Sequence, residues 1–226
     1  MENEPIIVLG GGGHASVLIA TLLLQGRAVL GFVDSAAPMK SIYRVKCLGD
    51  DDEIWRHRPV EVRLVNGLGS IGSNIARSQL FHRFKDKGYR FASVVHPTAI
   101  VAHDVRLSEG VQIMAAAVLQ PGSQVGANCI VNTGAVIDHH CKIGAHVHVG
   151  PGATLSGQVH LAVGVHIGTG ASVIQSLRIG SWSVVGAGAA VVRNVPARVT
   201  VVGLPARVLK TKMPGSTKLG LSKAGG

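Results

Sequence analysis

The sequence predicts an α/β domain with a short parallel sheet over residues 1–92, followed by a parallel β-helix over 93–195. Three observations carry this. As far as residue 92, short aliphatic runs alternate with helix-like runs, the order that builds a parallel sheet covered by helices. From Val95 to Val191 every sixth residue, seventeen in all, is Val, Leu or Ile. Only 4% of residues are aromatic while 30 are glycine, which suits thin, regular β layers better than a helical bundle.

In the first half, "IIVLG" (6–10) reads as a strand and "HASVLIATLLLQG" (14–26) as the helix after it. "AVLGFVD" (28–34) and "VRLVNGL" (62–68) read as the second and third strands. "SNIARSQLFHRFKDKG" (73–88) is a basic helix with an apolar stripe at Ile75, Leu80 and Phe84. "RFASVV" (90–95) is the fourth strand.

In the second half, four residues after each periodic aliphatic stands Ala, Val, Ser, Cys or Leu, and the residue directly after it is often Gly (126, 144, 150, 168, 180, 186). A period of six fits neither a helix nor a flat strand; it is the repeat of a β-helical coil. The aliphatic points inward, the small residue fills the space beside it, and the glycine serves the corner. Three hexads close a coil, so residues 18 apart stack, and seventeen hexads make between five and six coils. Residues 196–212 read as a C-terminal loop and 213–226 as a disordered, solvated basic tail.

Composition excludes several classes. Three cysteines, Cys47, Cys129 and Cys141, fit no disulfide framework or zinc pattern, so no metal and a reducing compartment are expected. No basic leader precedes the glycine-interrupted run near the start, so a soluble, cytoplasmic protein without membrane contact is expected. The net charge of +10 allows polyanionic ligands. Basic residues are not interleaved with aromatics, so nucleic acid is not expected as a partner.

"GGGGHA" (10–15) follows a strand and opens a helix, and Gly10, Gly12 and Ala15 fit G-x-G-x-x-A. Asp34 ends the second strand, at the distance of a ribose-binding acid. Such a Rossmann-like turn holds phosphates of any nucleotide. It supports a nicotinamide-dependent enzyme as one reading, although the domain is short for a full dinucleotide fold. Arg77 is either a phosphate partner or a solvated helix charge.

"VIDHHCKIGAHVHVG" (136–150) holds four of eleven histidines. In the hexad register Cys129 and Cys141 point inward as space-fillers, which disfavours thiol catalysis. His139 and His140 fall at outward or corner positions, and His146, His160 and His166 read as solvated. His139 and His148 lie half a coil apart, so one subunit cannot bring them together around a metal. One coil above His139 stands Gly157, where an unobstructed amide would sit beside a base. Thr169 under Ala187 forms a small-sided column along which an extended ligand could lie.

The motifs "NTGAVIDHHCKIG", "SGQVHLAVGVHIGTGASV" and "VVGLPARVLK" resemble those of the left-handed β-helix acyltransferases. With "VLGGGGHASV" and "GFVDS", the resemblance narrows to members with an N-terminal nucleotide-binding domain and covers about residues 5–210. That subfamily contains sialic acid O-acetyltransferases and acetyltransferases of nucleotide-linked 4-amino-4,6-dideoxy sugars of the perosamine or bacillosamine type. Left-handedness comes from the resemblance alone, since crossover rules favour the other hand. The resemblance implies acetyl-CoA as cosubstrate, a nucleotide-linked amino sugar as acceptor, and a homotrimer with sites between subunits. It implies His139 as the general base, acting without an acyl-enzyme and with His140 where the family commonly has Glu or Asp. It implies that His148 contacts acetyl-CoA from an adjacent subunit, with Gly157, Thr169 and Ala187 giving backbone contacts and Arg207 and Lys210 near the CoA phosphates. It places Gly12, Gly13 and His14 near the sugar nucleotide's phosphates, Asp34 and Ser35 near the nucleoside, Gly67 and Gly69 in the same crevice, and Asn132 on the substrate side.

Overall fold

The computed structural model describes residues 4–36 and 41–211, and the basic tail expected at 213–226 lies outside them. The N-terminal sheet contains β1 (Ile6–Leu9), β2 (Val29–Val33), β3 (Ser41–Ile42), β4 (Val45–Gly49), β5 (Arg63–Asn66) and β6 (Arg90–Phe91). Its order is β3-β4-β2-β1-β5-β6, parallel throughout except for the β3–β4 hairpin. All four residues of the central strand β1 are fully buried, as a strand covered on both faces requires. The helices are α1 (Gly13–Leu24) and α2 (Ile75–Lys85), with a 3₁₀ turn at Asp51–Arg56.

The hairpin is absent from the sequence reading. Its turn residues Tyr43 and Arg44 have φ of 47° and 68°, a conformation usually marked by Asn-Gly. Two further expectations are corrected. The expected strand 90–95 divides: Arg90–Phe91 closes the sheet and Val94–Val95 opens the β-helix. The expected stripe on α2 also shifts, because Ile75 is 51% exposed while Arg77, Ser78, Phe81 and Phe84 are buried. This helix is wedged between the sheet and the β-helix and so buries two sides.

Seventeen two-residue strands, β7 (Val94–Val95) to β23 (Ala190–Val191), form the β-helix. They stack in register at a spacing of 18 residues on three faces. The first runs from Val94–Val95 to Val184–Val185, the second from Ile100–Val101 to Ala190–Val191, and the third from Arg106–Leu107 to Arg178–Ile179. Most of the periodic aliphatics and their small companions make one buried core, Cys129 and Cys141 among them. Burial pushes the two thiols up to about 12 and about 11, so they remain protonated fillers.

The glycines directly after the aliphatics serve close approach, not a special φ. A Cβ on Gly168 would stand 2.5 Å from the Ala187 nitrogen of the next coil. The left-handed corner falls two residues later, and residues other than glycine also occupy it, including His140 (φ 58°) and His146 (φ 60°). The segment expected as a C-terminal loop instead contains β24 (Val199–Val202), which extends the first face, and the antiparallel β25 (Arg207–Thr211).

The N-terminal domain covers the base of the first face. Gln25 Nε2 donates to the Val95 carbonyl, and Asn74 Nδ2 donates to the carbonyls of Gly164 and Val165. Lys85 pairs with Glu109, which also accepts from the Phe91 amide.

Candidate active site

The carboxyl ends of β1, β2 and β5 open onto a cavity of about 720 Å³ against the first face of the β-helix, the place where open parallel sheets bind ligands. The α1 N-terminus points there without a side-chain cap, and a Cβ on Gly12 or Gly13 would meet nothing within 4 Å. Bare helix amides facing open space suit an anion. Gly67 is required by packing, since a Cβ there would stand 2.7 Å from the Leu9 carbonyl oxygen.

Asp34 lines the cavity, but its carboxylate is already engaged. Oδ2 accepts from the Gly11 amide at 2.7 Å and Oδ1 from the Ala36 amide at 2.8 Å. It therefore staples the glycine turn to the end of β2. Gly69 also lines the cavity, whereas Ser35 is exposed beside it and outside the lining.

Two histidines complete the floor. His14 Nε2 meets Gln112 Oε1 at 2.7 Å. His148 Nδ1 meets Ser70 Oγ at 2.7 Å, and its Nε2 meets Asn132 Nδ2 at 3.1 Å. Burial, with smaller contributions from neighbouring cations, lowers His14 to about 4 and His148 to about 3. Both rings are neutral at physiological pH. His148 and Asn132 thus share a cavity with the glycine turn of their own chain.

His139 and His140 lie elsewhere, exposed at the corner between the second and third faces. Their Nδ1 atoms are 3.1 Å apart, so one ring donates to the other. Asp138 accepts from the His139 backbone amide through Oδ1 at 2.7 Å and makes no bond to the ring. Gly157 is buried, not open as expected, and a Cβ on it would stand 2.5 Å from both Cε1 and Nε2 of His139. Glycine is what lets the imidazole lie across that coil. His140 is seated the same way over Gly122, whose Cβ would come 2.7 Å from Cδ2.

Thr169 and Ala187 are exposed and stacked at the corner between the first and second faces. Neither amide has a backbone acceptor among the described residues, so the column offers free donors. Arg207 is exposed on β25, and the Lys210 side chain lies outside the described residues.

The expectation that His146 is solvated is overturned. It is 5% exposed, receives Asn128 Nδ2 at 3.0 Å and meets His82 Nε2 at 3.2 Å. It occupies the corner that α2 covers. Arg77 is likewise neither a phosphate partner nor a solvated charge. It is 1% exposed, and its Nη1 donates to the carbonyls of Asn66 and Leu68 at 2.7 Å each. The sequence pattern singles out neither Asn66, Ser70 nor Gln112, and it misplaces Arg77. One signal was available: the outward positions Val94, Gln112 and Ile130 of the first face include aliphatics, which marks a face covered by another element. Among the described residues, no group of three or more His, Cys, Asp or Glu could hold a metal ion, and no helix is long and apolar enough to cross a membrane.

Comparison with curated proteins finds no match to the sequence. Residues 5–84 match the PglD N-terminal domain family, and residues 122–157 match the bacterial transferase hexapeptide family of six repeats. Among solved structures, PerB from Caulobacter crescentus, in complex with CoA and GDP-perosamine, is 38% identical with a TM-score of 0.84. The match covers 90% of this chain and 96% of that one. The acetyltransferase domain of PglB from Neisseria gonorrhoeae, in complex with acetyl coenzyme A, is 31% identical with a TM-score of 0.85, covering 92% of this chain and 100% of that one. WeeI from Acinetobacter baumannii is 25% identical with a TM-score of 0.83, covering 92% and 100%. These matches bear out the left-handed hexapeptide-repeat β-helix and an acetyltransferase that uses acetyl-CoA. The chain belongs to the hexapeptide-repeat acetyltransferases that carry a PglD-type N-terminal domain.

Proposed function

We propose that the protein is a homotrimeric, cytoplasmic enzyme that uses acetyl-CoA to acetylate the 4-amine of a nucleotide-linked 4-amino-4,6-dideoxy sugar. The observation that carries this is His139, seated over Gly157 and bonded to His140 at an exposed corner. The sugar nucleotide binds in the cavity of the first face, its phosphates on the α1 N-terminus. His139 does not line that cavity in its own chain, so a neighbouring copy supplies it, which supports the trimer. The pantetheine arm lies along the free amides of Thr169 and Ala187.

In the reaction the neutral amine attacks the thioester carbonyl, a C–N bond forms, and the C–S bond breaks. His139 Nε2 takes the proton from the attacking nitrogen, and that proton leaves with the CoA thiol. With His139 Nδ1–H donated to His140, Nε2 keeps its lone pair for this step. An imidazole behind the base, in place of a carboxylate, favours the amine over a sugar hydroxyl. An amine attacks before it loses its proton, whereas a hydroxyl needs the stronger base.

Thiol release from acetyl-CoA, followed with a panel of amino- and hydroxy-sugar nucleotides, tests the reading. His139→Asn should lower kcat by about 10²–10⁴-fold while CoA affinity holds. Near-wild-type turnover in this variant, or a monomer by light scattering, would overturn the proposal. Preference for hydroxyl acceptors would instead support the O-acetyltransferase reading.

A further inference from the structure

Gln112 lies on the first face beneath the N-terminal domain and is fully buried. Its Nε2 donates to the Asn66 carbonyl at 2.7 Å. A carbonyl oxygen only accepts, so the carboxamide has one orientation. Its Oε1 therefore faces His14 Nε2, at 2.7 Å, and the His14 proton must sit on Nε2. His14 Nδ1 is left with a lone pair and has no partner among the described residues. The ring lines the sugar cavity. Burial lowers it to about 4, so it offers no positive charge to a phosphate.

The opposite wall follows the same logic with the reverse result. The Thr133 amide donates to Asn132 Oδ1 at 2.8 Å, which turns Asn132 Nδ2 toward His148 Nε2. His148 then carries its proton on Nδ1 and gives it to Ser70 Oγ. The Ser70 hydroxyl proton is free for a ligand. Each imidazole is thus set by a carboxamide that is itself anchored to the backbone.

We infer that Gln112 is a specificity-determining positioning residue: it holds His14 as a hydrogen-bond acceptor, so the cavity selects a ligand with a hydroxyl or amine donor there, while Ser70 serves an acceptor oxygen. His14 is thereby a reader of the sugar's donor group and not a countercharge for phosphate. The identity of the ligand as a sugar rests on the function proposed above; the tautomer of His14 does not.

The test uses the full-length protein labelled with ¹⁵N-histidine, with His14 assigned by its loss in His14→Gln. Between pH 6 and 8 the His14 ring should show a protonated Nε2 and a bare Nδ1. In Gln112→Glu a carboxylate faces His14, and the ring should become an imidazolium at pH 6. The KM for the sugar nucleotide should then rise about tenfold or more, with the KM for acetyl-CoA held within about twofold. A wild-type ring protonated on Nδ1, or an unchanged sugar KM in Gln112→Glu, overturns the inference. Failure of the wild-type enzyme to acetylate any amino-sugar nucleotide counts against the proposed function alone, because the ring spectrum is read without substrate.

Discussion

The His139 imidazole lies across Gly157 of the next coil, leaving no room for a side chain: Cε1 and Nε2 would each be 2.5 Å from a Cβ there. One methyl group at position 157 must push the ring off the coil, because a carbon contact that short is deeply repulsive. Gly157→Ala should therefore lower kcat by roughly 10–100-fold, consistent with the sensitivity of proton transfer to small misplacements. Its melting temperature should stay near wild type, since Gly157 has no left-handed φ to lose. Steady-state kinetics beside a thermal melt checks this. Full activity would detach the base from the coil.

In the proposed reaction His140 takes the place of a carboxylate behind His139, and its Nδ1 is 3.1 Å from that of His139. Replacing it with Phe keeps a ring and removes the nitrogen. In the proposed reaction His139 then loses the acceptor for its Nδ1 proton. His140→Phe should lower kcat by about tenfold, the low end of the effects seen when a partner that orients an imidazole is removed. His140→Glu should restore or exceed wild-type kcat, because a carboxylate accepts the same hydrogen bond more strongly. Equal kcat in wild type and His140→Phe would show that the pair has no catalytic role.

The β-helix was legible because its register leaves no freedom: one aliphatic position, once aligned, fixes the direction of every other side chain. That register placed Cys129 inward and His139 outward, as found. It gave no warning that the N-terminal domain covers part of the prism. An outward histidine such as His146 therefore proved buried. Arg77 and Gln112 were lost for the same reason, since packing between domains leaves no period in either one. The β3–β4 hairpin was illegible because Tyr43 and Arg44 carry its turn without glycine.

Four histidines held away from solvent should make the fold acid-sensitive. Burial lowers His14 and His146 to about 4 and His148 to about 3, from an ordinary value of 6.5, and it lowers His166 as well. Below 6.5 the unfolded chain takes up protons that the native rings refuse. Stability is therefore fully present above pH 6.5 and is lost as pH falls toward 4 and 3. Each group contributes at most about 1.4 kcal/mol per pH unit across that window. Urea midpoints measured from pH 7.5 to 4.5 should fall steadily, and His146→Gln should flatten the slope by roughly a quarter. A pH-independent midpoint would mean that these rings charge in place.

Arg77 holds the loop that floors the cavity beside the first face. Its guanidinium is lowered by burial to about 9, so it is still charged at neutral pH. It has no carboxylate partner among the described residues; the Asn66 and Leu68 carbonyls solvate it instead. Truncation strands the Leu68 carbonyl, leaves the Asn66 carbonyl to Gln112 alone and opens a cavity beneath residues 66–70. Arg77→Ala should cost about 2–4 kcal/mol, read as a lower urea midpoint at unchanged slope. Arg77→Lys keeps the charge but not the planar guanidinium, whose Nη1 meets both carbonyls while its Nε reaches the Asn128 carbonyl, so it should lose less stability while still raising the KM for the sugar nucleotide. A lysine variant with wild-type KM would separate the charge from the shape of the loop, leaving Arg77 a purely structural cation.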